Sequence, residues 1–271
     1  MLTGICAGFG ELIGADTLAA LKARGVGLIR QDGRIGGSRI LDPDTCTALA
    51  QEVLDAGLAC LFVAHTFDQI RALPNGVQVE WKNEPDIEGP PAIAYGAEIE
   101  IAAKITGHRG LKLWVGGISN PHERGRAYLQ AIRPVIAGLL PSVGVTWHRY
   151  PVSSSNSPWQ AHDGFKTRDE EVAWVRSVIG DRDWAISELG YHTAPRTSGW
   201  WLWKKTRRWT DADVAVNTAA ELDFFAQHGA AFTVVYQLND AEPESRLGRY
   251  GVRRSDGRWK PVSEVLTGVN R

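Results

Sequence analysis

The chain has 271 residues, of which 44% are apolar and 23% charged, so it can bury a sizeable core and is too hydrophobic to be read as disordered. A net charge of −1 gives no global field for nucleic acid or an anionic membrane surface. The start, Met1-Leu2-Thr3-Gly4-Ile5-Cys6, lacks a basic leader segment and no apolar run reaches the length of a membrane span, so a soluble chain is expected; a secreted protein with its signal removed would read the same and leaves the compartment open.

In chain order, short apolar runs alternate with amphipathic, capped stretches, the pattern of βα units around a parallel sheet. The expected strands are 3–9, 26–31, 58–65, 77–84, 113–118, 143–150, 184–188 and 231–238. After the second strand, Asp42-Pro43 places a capping acid before a proline suited to the first helical turn; Cys46, Leu49, Val53 and Leu54 then share a face and Gly57 ends the helix. The connection around 66–73 is too short for a full helix. Pro90-Pro91 opens a helical stretch through Ile105, Thr167 with Glu170 forms a capping box, Thr210 with Asp213 starts another helix, and Pro261 opens the last, ending near Leu266. A long polar loop, 152–158, follows the sixth strand, but no linker divides the chain and no internal repeat is evident. Eight alternating units in a length close to the roughly 250 residues of a (β/α)8 barrel predict an α/β fold of that type, one domain over 1–271, with an open doubly wound sheet as the alternative.

Cys6, Cys46 and Cys60 are odd in number, lack CxxC spacing and sit in apolar surroundings; buried thiols are expected rather than disulfides or a zinc site. Eleven Trp against one Met supply flat faces that suit sugar rings as well as cores.

The active site of a (β/α)8 barrel lies at the C-terminal strand ends. Read in order, these ends carry Arg30, His65, Asn83 with Glu84, Asn120, His148 with Tyr150, Glu188, and Tyr236 with Gln237. Two runs each stop on a glutamate, Glu84 and Glu188, and paired carboxylates across a pocket are the working parts of glycoside hydrolysis. Asn83 and Glu84 are adjacent, so both reach one pocket only if strand four ends in a bulge or turn. Glu80, inside the strand, reads as a buried, paired structural carboxylate. His65 divides evenly between a sugar ligand and a hydrogen-bonded structural histidine. No HxxxH or HxH spacing supports a metal, and neither metal nor cofactor is expected.

The segment Glu80-Trp81-Lys82-Asn83-Glu84-Pro85 resembles the E-x-x-N-E-P strand-four motif of the retaining β-glycoside hydrolases of clan A. Ile186-Ser187-Glu188-Leu189-Gly190-Tyr191 is similar to their strand-seven nucleophile motif and His148-Arg149-Tyr150 to their strand-six H-x-Y, while Arg30 falls where that clan has an arginine ending strand two. Residues 248–252 and 256–261 resemble the clan's run after strand eight, so the likeness covers nearly the whole chain. It implies Glu84 as general acid/base, Glu188 as nucleophile, Asn83 as partner of the sugar 2-hydroxyl, Tyr150 and Arg30 as groups that hold Glu188, and His148 as part of the network around the acid. The acid is expected to have its pKa raised by the charge of Glu188 and by burial.

The chain departs from the clan at strand eight, where many members have a tryptophan beneath the reactive sugar and this one has Val234-Val235-Tyr236-Gln237. Tyr236 is a candidate smaller platform. A second distinctive segment interleaves Trp200, Trp201, Trp203 and Trp209 with Lys204, Lys205, Arg207 and Arg208; it is expected either to bind substrate or to pack over the barrel rim. The functional expectation is a monomeric, retaining, cellulase-like endo-β-glycanase acting on a carbohydrate, with no nucleic-acid or membrane partner. The alternatives are an exo-β-glycosidase or transglycosylase using the same residues, a non-catalytic sugar-binding barrel, and phosphate-ester or aldolase chemistry, for which Lys82 is the candidate Schiff-base lysine.

Overall fold

The computed structural model describes residues 1–8, 12–36, 38–150, 161–162, 164–193, 196–198, 205–207, 209–240 and 249–266. All eight expected strands are present: β1 (Leu2–Cys6), β2 (Leu28–Asp32), β3 (Ala59–Ala64), β4 (Gln78–Trp81), β5 (Lys112–Ile118), β6 (Gly144–Arg149), β7 (Trp184–Leu189) and β8 (Phe232–Val235). Each pairs in parallel with its neighbours in the chain, and β1 pairs with β8, which closes the barrel. Closure rules out the open doubly wound alternative. Helices α1 (Ala15–Ala23), α2 (Pro43–Asp55), α3 (Phe67–Ala72), α4 (Ala92–Arg109), α5 (Glu123–Gly138), α6 (Arg168–Ile179), α7 (Asp211–Gln227) and α8 (Val262–Val265) follow the strands in turn. Two short antiparallel hairpins, Arg34–Ile35 with Arg39–Ile40 and Arg196–Ser198 with Lys205–Arg207, sit outside the barrel sheet.

The capping chemistry explains where the helices start. Asp42 accepts from the backbone of Thr45 ahead of Pro43, and Thr210 and Asp213 form a reciprocal capping box. Thr167 caps α6 through Glu170 N, but the Glu170 carboxylate reaches back to Lys166 N rather than closing the box. The short third connection does hold a helix, fixed by an unforeseen capping box between Thr66 and Gln69.

Strand alternation sorts the core into two populations. The larger one, including Val79, Val115, Val145, Ile186 and Val235, packs between barrel and helices. A smaller interior cluster contains Cys6, Leu28, Leu61, Trp114, Ala185, Val234 and Tyr236. All three cysteines are buried, and burial pushes the Cys6 thiol up to about 11 and those of Cys46 and Cys60 up to about 12, so they remain thiols at neutral pH. Among the described residues no helix is long and apolar enough to cross a membrane.

Candidate active site

Local departures from regular strands aim the strand ends inward. Strand β4 stops at Trp81, and the next residues turn: Lys82 (φ 62°) and Glu84 (φ 41°) both take left-handed backbone angles that side chains other than glycine's rarely adopt. This is the turn that adjacent Asn83 and Glu84 require. It is fastened by Glu84 N donating to Gly117 O at 3.1 Å, and Asp86 accepts from both the backbone and the hydroxyl of Ser119. Gly117 itself has φ 51°, and a side chain there would crowd Lys82 O and the Glu80 carboxylate. In β7 the register slips, so that Trp147 pairs with Ile186 but His148 pairs with Glu188. The slip lets Ser187 bear on Glu80 inside the barrel while its neighbour Glu188 reaches the rim.

Arg30 organises what these turns deliver. Only 1% exposed, it donates from Nε to Glu80 (2.6 Å), from Nη1 to Glu188 Oε1 (2.6 Å) and from Nη2 to Asn83 Oδ1 (2.8 Å). Glu80 also accepts from the Thr146 hydroxyl at 2.7 Å and is fully buried, as a structural carboxylate should be. Burial works to raise its pKa, but the charges of Arg30 and His148 outweigh that and keep it ionised. The second oxygen of Glu188 accepts from the Tyr150 hydroxyl at 2.5 Å. Tyr150 is fixed in turn by its own N–H, which donates to Asn120 Oδ1 at 3.0 Å.

His148 bridges the two glutamates. Its Nδ1 lies 3.1 Å from Glu84 Oε1 and 3.5 Å from Glu188 Oε2, and the three ligand-type atoms all fall within 4.8 Å of one another. Nε2 is buried with no hydrogen-bond partner among the described residues, so the ring's polar contacts run through Nδ1, which faces both carboxylates. Burial opposes charge on the ring, but Glu188 and Glu84 prevail and the pKa of His148 is raised. The expectation for Glu84 needs correcting. Burial does press its pKa upward, yet the hydrogen bond and charge of His148, with Arg30 and Arg34, hold it below the ordinary carboxylate value. Both shifts favour the proton on His148 over Glu84.

This trio is also the one cluster of potential metal ligands among the described residues. Both Glu188 oxygens are already committed, one to a guanidinium and one to a phenol, so a cation there would face Arg30 and displace existing donors. The arrangement suits proton transfer and attack by a carboxylate better than metal binding.

The other sequence candidates fall around this centre. Tyr236 lies in the interior cluster, its ring edge-on to Tyr150 at 6.2 Å and to Tyr250 at 5.7 Å; Gln237 follows across a cis peptide bond and pairs through its carbonyl with Val252 N. His65 Nε2 lies 2.8 Å from Asp32 Oδ1, and the same carboxylate takes the backbone N–H of Arg34. Asp32 was not singled out from sequence; its signal is spacing, since two residues after Arg30 on one strand returns to the same face. Lys82 pairs with Glu98 on α4 at 2.5 Å, an engagement on the helix side that does not suit Schiff-base chemistry at the centre. Trp200 and Trp201 lie outside the described residues, as do Trp203, Lys204, Arg208 and 151–160; Trp209 packs against Tyr191.

No family model matches the sequence, and no curated protein matches it. Solved structures do. A family 39 glycoside hydrolase from Bacteroides cellulosilyticus superposes with a TM-score of 0.68 at 15% identity over 98% of this chain, which spans 62% of that protein's chain. A β-1,3-glucanosyltransferase from Rhizomucor miehei gives 0.65 at 12% identity, covering 96% of both chains. A β-mannanase from Streptomyces thermolilacinus gives 0.60 at 14% identity over 99% of this chain and 88% of the other. At these identities the likeness shows a shared barrel fold.

Proposed function

We propose that this protein is a β-glycoside hydrolase that retains anomeric configuration by double displacement, with Glu188 as nucleophile and Glu84 as general acid/base. The observation that carries the reading is the pairing of two differently held carboxylates: one oxygen of each lies within 4.8 Å of the other, Glu188 is clamped by Arg30 and Tyr150, and Glu84 is bonded to His148 alone of the cluster's charged groups. Retaining enzymes place the carboxyl groups about 5–5.5 Å apart, whereas inversion needs roughly 6.5–9.5 Å to admit a water. Solved structures of glycoside hydrolases and of a glucanosyltransferase share the fold, which supports the same class.

The chemistry follows from how each acid is held. Two donors hold the Glu188 carboxylate in a fixed direction, as attack on the anomeric carbon requires. Glu84 must hold a proton when the glycosidic oxygen leaves. His148 Nδ1 stores that proton 3.1 Å away, and a bound sugar that excludes water favours its transfer to Glu84. Formation of the glycosyl–enzyme consumes the negative charge of Glu188, so Glu84 then takes a proton from the incoming water. Asn83, held by Arg30, is placed to meet the sugar 2-hydroxyl.

The substrate in this reading is a β-linked polysaccharide cut internally. Transfer to a second sugar instead of water uses the same residues, and the two-way coverage with the glucanosyltransferase favours testing it. A panel of aryl β-glycosides with β-glucan, mannan and xylan tests the reading, followed by NMR of the first-formed anomer. A β-anomer supports retention. An α-anomer overturns the mechanism, and no turnover of any substrate overturns the function.

A further inference from the structure

We infer that Arg149 is a positioning residue: acting from outside the barrel, it sets Tyr150 against Glu188. The inference rests on Glu188 being the nucleophile proposed above. Alternation along β6 turns His148 to the site and Arg149 into the layer beneath α6 and α7. Among Val172, Val175, Leu222 and Phe225 that layer buries a charged cluster, in which Arg149 lies 2% exposed beside Glu171 and His162 and feels the charges of Glu221 and Glu171. Buried ion pairs give no dependable gain in stability over apolar packing, so stability alone does not account for the cluster.

Two side chains of this cluster meet at one carbonyl. Arg149 Nη1 donates to the Tyr150 carbonyl at 2.8 Å, and His162 Nε2 lies 3.2 Å from the same oxygen and 3.4 Å from Nη1. Glu171 anchors this arrangement to α6: Oε2 accepts from the backbone N–H of His162 (3.1 Å) and faces its ring Nδ1 (3.0 Å), while Oε1 lies 3.6 Å from Arg149 Nε. β6 ends at Arg149, so Tyr150 stands one residue beyond the strand ladder. Side chains replace the ladder there, Asn120 on its N–H and Arg149 on its carbonyl. The phenol held between them donates to Glu188 Oε2.

The test is a double-mutant cycle of Arg149→Met with Tyr150→Phe, read as kcat and KM of aryl β-glycoside hydrolysis. Arg149→Met alone should lower kcat by about tenfold or more with little change in KM. In the Tyr150→Phe background the same substitution should cost less than about twofold, since its route is gone. Equal losses in both backgrounds, or a folded Arg149→Met protein with unchanged kinetics, would overturn the assignment. Should Arg149→Met not fold, Glu171→Gln keeps the shape and serves in the same cycle. The Tyr150 ring carbon in tyrosine-labelled protein, identified by its loss in Tyr150→Phe, gives an NMR readout independent of activity. Its shift should move in either variant, and an unmoved resonance also refutes the role. A wild-type protein without glycosidase activity defeats the function reading, while the resonance still decides whether Arg149 positions Tyr150.

Discussion

Arg30 and Glu80 meet at 2.6 Å in the barrel interior, the one 1% and the other 0% exposed, and this ion pair is the base on which the site is built. The guanidinium that neutralises Glu80 also holds Glu188 and Asn83, so a structural carboxylate fixes the orientation of two rim residues. Glu80→Ala should therefore lower unfolding stability by about 3 kcal/mol, because it leaves Arg30 buried with part of its charge uncompensated. Denaturant unfolding measures this, and a loss below about 1 kcal/mol would show that Glu188 alone satisfies the guanidinium. Activity should fall as well, since Arg30 then loses the anchor that aims it at Glu188 and Asn83.

The two catalytic assignments predict opposite products in one experiment. Glu188→Ala should stop turnover of an activated aryl β-glycoside and open the α face to small anions. Azide should then restore release of the phenol and yield the α-glycosyl azide. Glu84→Ala should still form the glycosyl–enzyme from substrates with good leaving groups, and azide there should give the β-glycosyl azide. Exchanged products would exchange the roles, and full activity in either variant would remove that residue from the mechanism.

A proton shared by His148 and Glu84 should set the alkaline side of the pH profile. The raised pKa of His148 and the lowered pKa of Glu84 describe one shared proton, whose loss is a property of the pair. The basic limb of kcat/KM should lie above histidine's ordinary value of about 6.5. His148→Gln leaves the proton to Glu84 alone, so the limb should move to lower pH. A limb that stays in place would mean that His148 does not store the proton.

Acid should destabilise the fold through its buried carboxylates. Burial acts to raise the pKa of Asp32, but the hydrogen bond and charge of His65, with Arg34, hold it below the usual range; Glu171 is lowered likewise by His162 and Arg149 against its burial. A folded-state pKa below the unfolded one gives stability that is full above the unfolded value, about 4, and is lost as pH falls through the folded value. The melting temperature should drop steeply below about pH 4, and Asp32→Asn should flatten that fall. An equally steep fall in the variant would place the acid sensitivity elsewhere.

The barrel was legible in the sequence because its determinants are local. Alternating apolar runs, Asp42-Pro43, Thr210 with Asp213 and the two strand-ending glutamates each lie within a few residues, and eight such units have few ways to close. The capping box at Thr66 and Gln69 follows the same local rules but was hidden by the shortness of its helix. The lowered pKa of Glu84, the pairing of Asp32 with His65 and the support of Tyr150 by Arg149 depend on groups far apart in the chain. Sequence by itself determined which residues stand at the strand ends. Tertiary structure alone decided the directions in which the pKa values of His148 and Glu84 move. Charge interactions depend on distance and burial, and those exist only once the register slip in β7 and the left-handed turn after β4 have brought Glu188, His148 and Glu84 together.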